Sequence, residues 1–139
     1  MTDDLSGNCA STTSCSKSSG PKDIQCYISS KPPTIIAAAR RRLGVPYVWG
    51  GGHRAKPGPS LGTCVGYTGS IHPCPAEETV GLDCSGLVRD AIYHGIGIDL
   101  AHGGSTKDQI RDAHIHRIEY EDRQPGDIEF FSTLKDIHH

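Results

Sequence analysis

The sequence lacks the features that mark membrane proteins, secreted precursors and nucleic-acid-binding proteins. No apolar run approaches the roughly 20 residues of a membrane span, so we expect none. The N-terminus is polar and shows no secretory signal peptide. The net charge is −2, so neither nucleic acid nor an anionic membrane is an expected partner. The protein is therefore cytosolic, is exported without such a signal, or is preceded by one outside this sequence.

The sequence also lacks the cysteine spacing that marks a zinc site. It contains no CxxC, and six cysteines in 139 residues are dense enough to indicate an oxidising compartment. The Gly-containing loop CVGYTGSIHPC favours a disulfide between Cys64 and Cys74 over a metal site. We therefore predict no bound metal, while the pairing of the other cysteines stays open.

Length and composition favour one domain with an arm in front of it. A chain of 139 residues, 35% of them hydrophobic, can form one core but not two large ones. Residues 1–32 are poor in apolar side chains and predict a flexible arm or linker rich in Cys and Ser. Residues 33–139 form the predicted domain, in which residues 53–81 are a long loop insertion.

Two helices dominate the predicted domain. The stretch IIAAARRRLG contains strong helix formers, with Thr34 as the N-cap and Gly44 as the C-terminal stop. The stretch SGLVRDAIYHG also predicts a helix, which Gly95 and Gly97 end. Its apolar face consists of Leu87, Val88, Ala91 and Ile92.

The C-terminal third contains the predicted strands. STKDQIRDAHIH begins with a Ser/Thr cap and predicts a further short helix. RIEYED predicts a strand, and QPGDIEFF predicts a turn followed by a strand. Helices come first and strands gather late, so the expected fold class is α+β.

The segment VGLDCSGLV raises the main question about function. Its cysteine, Cys84, could be a buried structural thiol, half of a disulfide, a metal ligand or a nucleophile. It falls at a predicted helix start, where free N–H groups and the helix dipole favour an anion such as a thiolate. Asp83 can cap that helix, and the small Ser85 and Gly86 leave backbone amides open to a developing oxyanion.

A nucleophilic cysteine also needs a histidine within hydrogen-bonding reach. The sequence has eight histidines, and spacing alone does not choose among them. His94 lies about three turns along the same predicted helix from Cys84, which is too far. His138 and His139 follow a predicted strand that could run beside this helix.

Four blocks taken in order resemble the NlpC/P60 family of cell-wall cysteine peptidases. They are LGVPYVWGG, GLDCSGLV, QPGDIEFF and IHH, within the stretch from Ile35 to His139. The resemblance implies a papain-like α+β fold, in which the helix that carries the nucleophile packs on an antiparallel sheet. It also implies hydrolysis of an amide bond in a peptidoglycan stem peptide, often between D-γ-glutamyl and a diamino acid, with no cofactor.

The resemblance also implies roles for individual residues. Cys84 corresponds to the family nucleophile, and Asp83 to the acidic residue that supports the structure beside it. Tyr47 corresponds to a tyrosine that lines the site and helps to hold the substrate or the oxyanion. The general base falls on His139, with His138 as the second candidate, because the family places this histidine directly before a strand.

The sequence departs from the family pattern in two places. The family continues past its histidine with further strands and a third polar residue that orients the imidazole. The sequence ends at His139, so we expect a fold truncated at its C-terminal strands. Residues 53–81 are an addition to the family core, and we expect them to rim the cleft and shape specificity.

The resemblance suits an extracytoplasmic enzyme that acts on peptidoglycan. It could be a secreted lysin, or a toxin domain delivered by a specialised secretion system, which would have an immunity protein as its inhibitor. Three other functions stay open: an amidase or acyltransferase that uses the same Cys–His pair, a non-catalytic wall-binding or interaction module, and a small disulfide-rich or metal-binding protein.

Overall fold

The structure is a computed structural model that describes residues 31–132 and 137–138. The predicted arm, residues 1–32, lies almost entirely outside this part of the chain, as do three of the six cysteines. No helix among the described residues is both long and apolar enough to cross a membrane.

The first helix, α1, spans Lys31–Arg40 and continues as turns to Gly44, which has φ +87°. The prediction that Thr34 caps this helix is wrong, because the helix already includes the preceding Pro32 and Pro33. Both prolines fall in the first turn, where backbone N–H groups have no partner within the helix. Their missing N–H groups therefore cost no hydrogen bond there.

The second helix, α2, spans Cys84–Ile96 and packs along α1. Small side chains allow this close approach, since Ala38 and Ala91 are almost fully buried. The Arg42 guanidinium makes two hydrogen bonds, of 2.6 and 2.9 Å, to the fully buried carboxylate of Asp90. The predicted helix is confirmed, and it ends at Gly97 (φ 80°), which donates its N–H to the Tyr93 carbonyl, whereas Gly95, also predicted to end it, lies inside the helix.

The predicted apolar face of α2 faces α1, as expected. All four of its residues line a cavity of about 320 Å³ together with Ile35 and Ile36 of α1 and with residues 126–129. Ala91 and Ile92 are buried, whereas Leu87 is 37% exposed at the cavity edge. The helix pair therefore supplies part of the core of the described residues, to which Val48, Ala76, Leu82 and Leu100 also belong.

Short strands surround this pair of helices. β1 (Ser60–Leu61) and β2 (Val80–Gly81) pair antiparallel, so the C-terminal end of the predicted loop 53–81 pairs with residues inside the loop. β3 (Phe131–Ser132) and β4 (Ile137–His138) form a second antiparallel pair. The arrangement of helices and small antiparallel sheets agrees with the expected α+β class.

Two predictions for the C-terminal part differ from the structure. The helix predicted over residues 105–116 begins at its predicted Ser105 cap but is only one turn, α3 (Thr106–Gln109), because the Asp112 carboxylate accepts the N–H groups of His114 and Ala101 and draws the backbone out of the helix. The strand predicted over residues 117–122 is an exposed stretch that ends in the 3₁₀ helix Tyr120–Asp122.

A third prediction is correct in kind but too long. The strand expected over residues 127–131 is reduced to β3, and residues 127–130 have no regular structure. A Gln124–Asp127 turn, closed by the Gln124 N–H bond to the Asp127 carboxylate, delays the start of the strand.

Gly52 brings the loop after Trp49 against the start of α2. Its φ is +92°, and a Cβ atom built there would lie 2.6 Å from the Cα of Gly86. No side chain larger than hydrogen fits between the two backbones, so this glycine contact sets the distance from the loop to the helix.

We expect Gly52→Ala to lower the free energy of unfolding more than Gly44→Ala. Both residues have positive φ, which costs an alanine about 1–2 kcal/mol. Only Gly52 adds a backbone collision, worth roughly 1–3 kcal/mol more, since nothing lies within 4 Å of a Cβ at Gly44. Urea unfolding of the two variants measures the difference, and equal losses would contradict the packing argument.

Candidate active site

Cys84 is the first residue of α2. It is half-buried, and it is the only cysteine without a disulfide in the part of the chain that the structure describes. The first turn of a helix contains backbone N–H groups that have no partner within the helix. The geometry suits a nucleophile, and a disulfide role for Cys84 has no partner among the described cysteines.

The Asp83 carboxylate organises the backbone and side chains around Cys84. As the N-cap, its Oδ1 accepts the Gly86 N–H at 2.8 Å, which confirms the predicted cap. Its Oδ2 accepts the Gly50 N–H at 3.1 Å, from the loop before Gly52. The carboxylate therefore joins the nucleophile helix to the loop that follows Tyr47.

Ser85, on the other side of Cys84, is buried and also bound within the protein. Its hydroxyl donates to Asp83 Oδ1 at 3.1 Å. Its carbonyl accepts a hydrogen bond of 2.8 Å from the Gln109 side chain of α3. The side chains of both neighbours of Cys84 thus hold the first turn of α2 in place.

His53 completes this group, and sequence reasoning did not single it out. Its Nε2 lies 2.7 Å from Asp83 Oδ1 and 3.2 Å from the Ser85 hydroxyl. Its Nδ1 lies 2.8 Å from the Gly103 carbonyl. Of the histidines whose side chains the structure describes, it is the one bonded to both neighbours of Cys84. Its place directly after the WGGG turn was the only available signal.

The charges of His53 and Asp83 stabilise each other. The hydrogen bond to Asp83 raises the pKa of His53, although burial acts in the opposite direction. Burial raises the pKa of Asp83, but the bonds from His53 and Gly86 outweigh it, and the pKa lies below its ordinary value. Both shifts favour the charged forms, an imidazolium and a carboxylate.

Arg89 of α2 fixes the loop that carries His53. It is 1% exposed, and its guanidinium donates to the carbonyls of Gly52 and Arg54, on either side of His53. The same guanidinium donates to the Asp99 carboxylate at 2.9 Å. This buried charge is fully paired, as a charge in the interior must be.

The acceptor for His53 Nδ1 lies in a strained turn. In the 3₁₀ segment Leu100–Gly103, Ala101 and His102 have φ values of 52° and 47°, which side-chain-bearing residues rarely adopt. The Asp112 carboxylate accepts the Ala101 N–H at 2.8 Å. Hydrogen bonds from the His114 and Ala101 N–H groups lower the pKa of Asp112 to about 2.

Tyr47 lies on the strand segment beside this site. It forms a single parallel bridge with Leu82 and is 66% exposed. Desolvation of its hydroxyl, and after that the negative charges of Cys84 and Asp83, raise its pKa. Its phenol therefore stays a neutral hydrogen-bond donor at neutral pH.

The loop between β1 and β2 is held at both ends. Cys64 and Cys74 form a disulfide with an S–S distance of 2.20 Å. The Trp49 indole N–H donates to the Val65 carbonyl at 2.9 Å and ties the loop to the strand segment of Tyr47. Val65 and Ile71 are exposed apolar residues on the loop.

The structure leaves the predicted general base undecided. His139 lies outside the described residues, and only the backbone of His138 is described, paired with Phe131. β4 lies beside α3, whose Gln109 binds the Ser85 carbonyl. α3 therefore contacts both β4, at the end of the described chain, and the turn that contains Cys84.

Metal ligands do not cluster in this site. Within residues 31–132 and 137–138, no three His, Cys, Asp or Glu side chains are placed to hold a metal ion.

Comparison with known protein families decides the family. The model of the NlpC/P60 family matches residues 44–139, which include Tyr47, His53 and Cys84. The chain belongs to the NlpC/P60 family. The resemblance seen in the four sequence blocks is therefore confirmed.

Several curated relatives match the NlpC/P60 region. The chain is 34% identical over 97 residues to the peptidoglycan endopeptidase RipA of Mycobacterium tuberculosis, covering 70% of this chain and 17% of the relative. It is 35% identical over 94 residues to RipB of the same species, covering 68% of this chain and 34% of the relative. With RipA of Mycolicibacterium smegmatis the identity is 41% over 68 residues, covering 49% of this chain and 11% of the relative.

The chain thus spans about a third or less of the length of these relatives. No solved structure gives a significant match.

We expect Asp83→Ala to destabilise this NlpC/P60 domain by at least about 2 kcal/mol, because the helix loses its N-cap and His53 loses its partner. The same change at the exposed Asp122 should cost less than about 0.5 kcal/mol. Urea unfolding at neutral pH measures both losses.

The Asp83 contribution should also depend on pH. Since the folded state lowers the pKa of Asp83, its stabilisation is present above the unfolded pKa of about 3.9 and is lost as the pH falls through the folded value. The stability gap between the native chain and Asp83→Ala should close in acid. A gap that is constant with pH would exclude the charged cap.

Proposed function

We propose that the chain is a peptidoglycan hydrolase that cleaves an amide bond in cell-wall stem peptides with Cys84 as its nucleophile. The observation that carries the proposal is a half-buried free thiol at a helix N-terminus, inside the region that matches the NlpC/P60 family. The names of the relatives support the substrate, since RipA and RipB are peptidoglycan endopeptidases.

The proposed reaction passes through a thioester. A histidine takes the proton of Cys84, and the thiolate attacks the carbonyl carbon of the scissile amide. The protonated histidine then gives its proton to the leaving amine, and water hydrolyses the thioester. His139 is the proposed base and His138 the alternative, since the β4 strand lies beside α3, which is bonded to the turn of Cys84.

The negative oxygen of each tetrahedral intermediate needs hydrogen-bond donors. Backbone N–H groups at the start of α2 supply them in the proposal, with Tyr47 as a further donor. Tyr47 suits this role because its raised pKa keeps the hydroxyl protonated beside the sulfur. Asp83 and Ser85 hold the turn instead of binding substrate, because internal hydrogen bonds already engage their side chains.

The substrate in this proposal is a stem peptide cut between D-γ-glutamyl and a diamino acid. The reaction takes place outside the cytoplasm, where peptidoglycan lies. The disulfide between Cys64 and Cys74 suits that compartment, because disulfides persist in oxidising surroundings. The disulfide loop presents exposed apolar residues and forms one wall of the substrate cleft.

The first test compares the native chain with Cys84→Ser, His139→Ala and His138→Ala on purified peptidoglycan. We expect the native chain and His138→Ala to release defined fragments, which mass spectrometry identifies. Cys84→Ser and His139→Ala should lose activity by at least about 10³-fold, since neither can complete the proton transfer and attack.

The two histidine variants are each other's control, because they differ by one position in the chain. Loss of activity in His138→Ala alone would move the base to that residue. Full activity in Cys84→Ser would overturn the cysteine mechanism. If the native chain releases no fragment, a stem-peptide amide with an added amine acceptor tests the alternative acyl transfer.

Removal of the disulfide tests the loop as a wall of the cleft. We expect the double variant Cys64→Ser with Cys74→Ser to keep the alkylation rate of Cys84, because the nucleophile turn lies outside the loop. Its KM for stem peptides should rise severalfold with little change in kcat. An unchanged KM would remove the loop from the substrate site.

A further inference from the structure

We propose that His53 is a positioning residue, whose imidazolium holds the first turn of α2 in the geometry that Cys84 needs. The role rests on the proposed function, and neither the family match nor the names of the relatives assign it. The observation behind it is that one imidazole bonds to the side chains on both sides of the nucleophile.

The hydrogen bonds of the ring require the protonated form. Nε2 faces the Asp83 carboxylate and Nδ1 faces the Gly103 carbonyl, and both partners only accept. A neutral imidazole carries one N–H and would leave one acceptor facing a nitrogen lone pair. The imidazolium carries two N–H groups and satisfies both acceptors at once.

Three elements hold His53 in this geometry. Arg89 of α2 binds the carbonyls on either side of it, at Gly52 and Arg54. The strained turn Leu100–Gly103 presents its last carbonyl to Nδ1. The glycine contact between the loop and α2 leaves no room for a different approach. The arginine restrains the backbone beside His53, and the strained turn restrains its ring. Backbone strain of this kind is typical of functional sites.

The bond network passes the restraint on to Cys84. Asp83 receives His53 on the oxygen that also caps Gly86 and accepts from Ser85. If His53 loses its proton, the turn loses either the bond to Asp83 or the bond to Gly103. Either loss loosens the link between the helix start and the loop, and the amides around the sulfur lose their fixed positions.

His53 does not act as the general base in this arrangement. A base must offer a lone pair to the thiol proton, and an imidazolium has none. Nε2, the ring nitrogen that bonds to the neighbours of Cys84, already faces the Asp83 carboxylate. The proton acceptor is therefore a different histidine, which agrees with the proposed His139.

The charges around His53 favour its protonated form. Asp83 faces it from the helix start, and Arg89 faces it from the middle of α2 and opposes the charge. Asp99 pairs with Arg89 at 2.9 Å and reduces this opposition, and the exposed His102 lies 3.9 Å from Asp99. The stabilisation that His53 provides is present below its unfolded pKa of about 6.5 and is lost as the pH rises through the raised folded value.

The first experiment records the ring nitrogens of the native chain with ¹⁵N-histidine labelling and assigns His53 through ring-to-backbone correlations. We expect two protonated nitrogens with similar shifts, and titration above the unfolded value of about 6.5. A neutral tautomer at pH 6.5 would overturn the proposal. The measurement needs no variant and no peptidoglycan, so it decides whether or not the proposed function holds.

The second experiment follows alkylation of Cys84 by iodoacetamide, read by mass spectrometry on the peptide that contains it. We expect His53→Gln to slow alkylation severalfold. In the native chain, we expect the alkylation rate to fall as the pH rises and His53 deprotonates, and the variant should not show this fall. The matched control is His94→Gln, which breaks another histidine–carboxylate pair, to Asp90 at 3.3 Å, roughly 15 Å along α2 from Cys84. It should keep the native profile.

A third measurement separates positioning from general stability. In peptidoglycan cleavage, His53→Gln should lower kcat by roughly tenfold or more while KM stays near the native value. A native pH profile of alkylation in a folded His53→Gln variant would refute the positioning role. The remaining outcome is that neither the native chain nor His53→Gln cleaves peptidoglycan, while His53 is protonated and the alkylation profile of the variant is altered. This outcome would refute the proposed function and support the positioning of Cys84 by His53.

Discussion

The Asp83 carboxylate is the interaction on which the described site depends. It caps α2, binds the loop backbone at Gly50 and holds the His53 ring, so a single side chain joins the helix, the loop and the imidazole. Burial alone would raise the pKa of this acid. The donors around it reverse that effect, and the charge persists because four hydrogen bonds converge on it.

The residues that hold the site around this carboxylate differ from the residues that are proposed to react. The supporting side chains make hydrogen bonds to one another and to the backbone; they are those of Asp83, Ser85 and His53. Cys84 lies between two of them with its thiol free, and Tyr47 reaches the same place from the neighbouring strand segment. A reactive group held by groups that do not react is the arrangement that a fixed attack geometry requires. Membership of the NlpC/P60 family indicates a hydrolase, but it does not identify the bond that is cleaved.

Local patterns predicted local features well. The α2 helix, its apolar face and the Asp83 cap all follow from residues within a few positions of each other, and the structure contains them. The helix predicted over residues 105–116 is too long for the opposite reason. Asp112 binds the backbone at Ala101, eleven positions away, and this tertiary contact outweighs the helical propensity. His53 could not be chosen from eight histidines, because its partner Asp83 is thirty positions along the chain.

By itself, the sequence predicted the family and the class of fold and singled out Cys84 as a candidate nucleophile, because these follow from short motifs whose order along the chain survives without coordinates. Only the tertiary structure decided which groups surround the cysteine. It placed a histidine from a loop, a carbonyl from a strained turn and an arginine from the middle of α2 in one network. Hydrogen bonds act over about 3 Å of space and are indifferent to sequence separation, so no pattern of neighbouring residues specifies such a network.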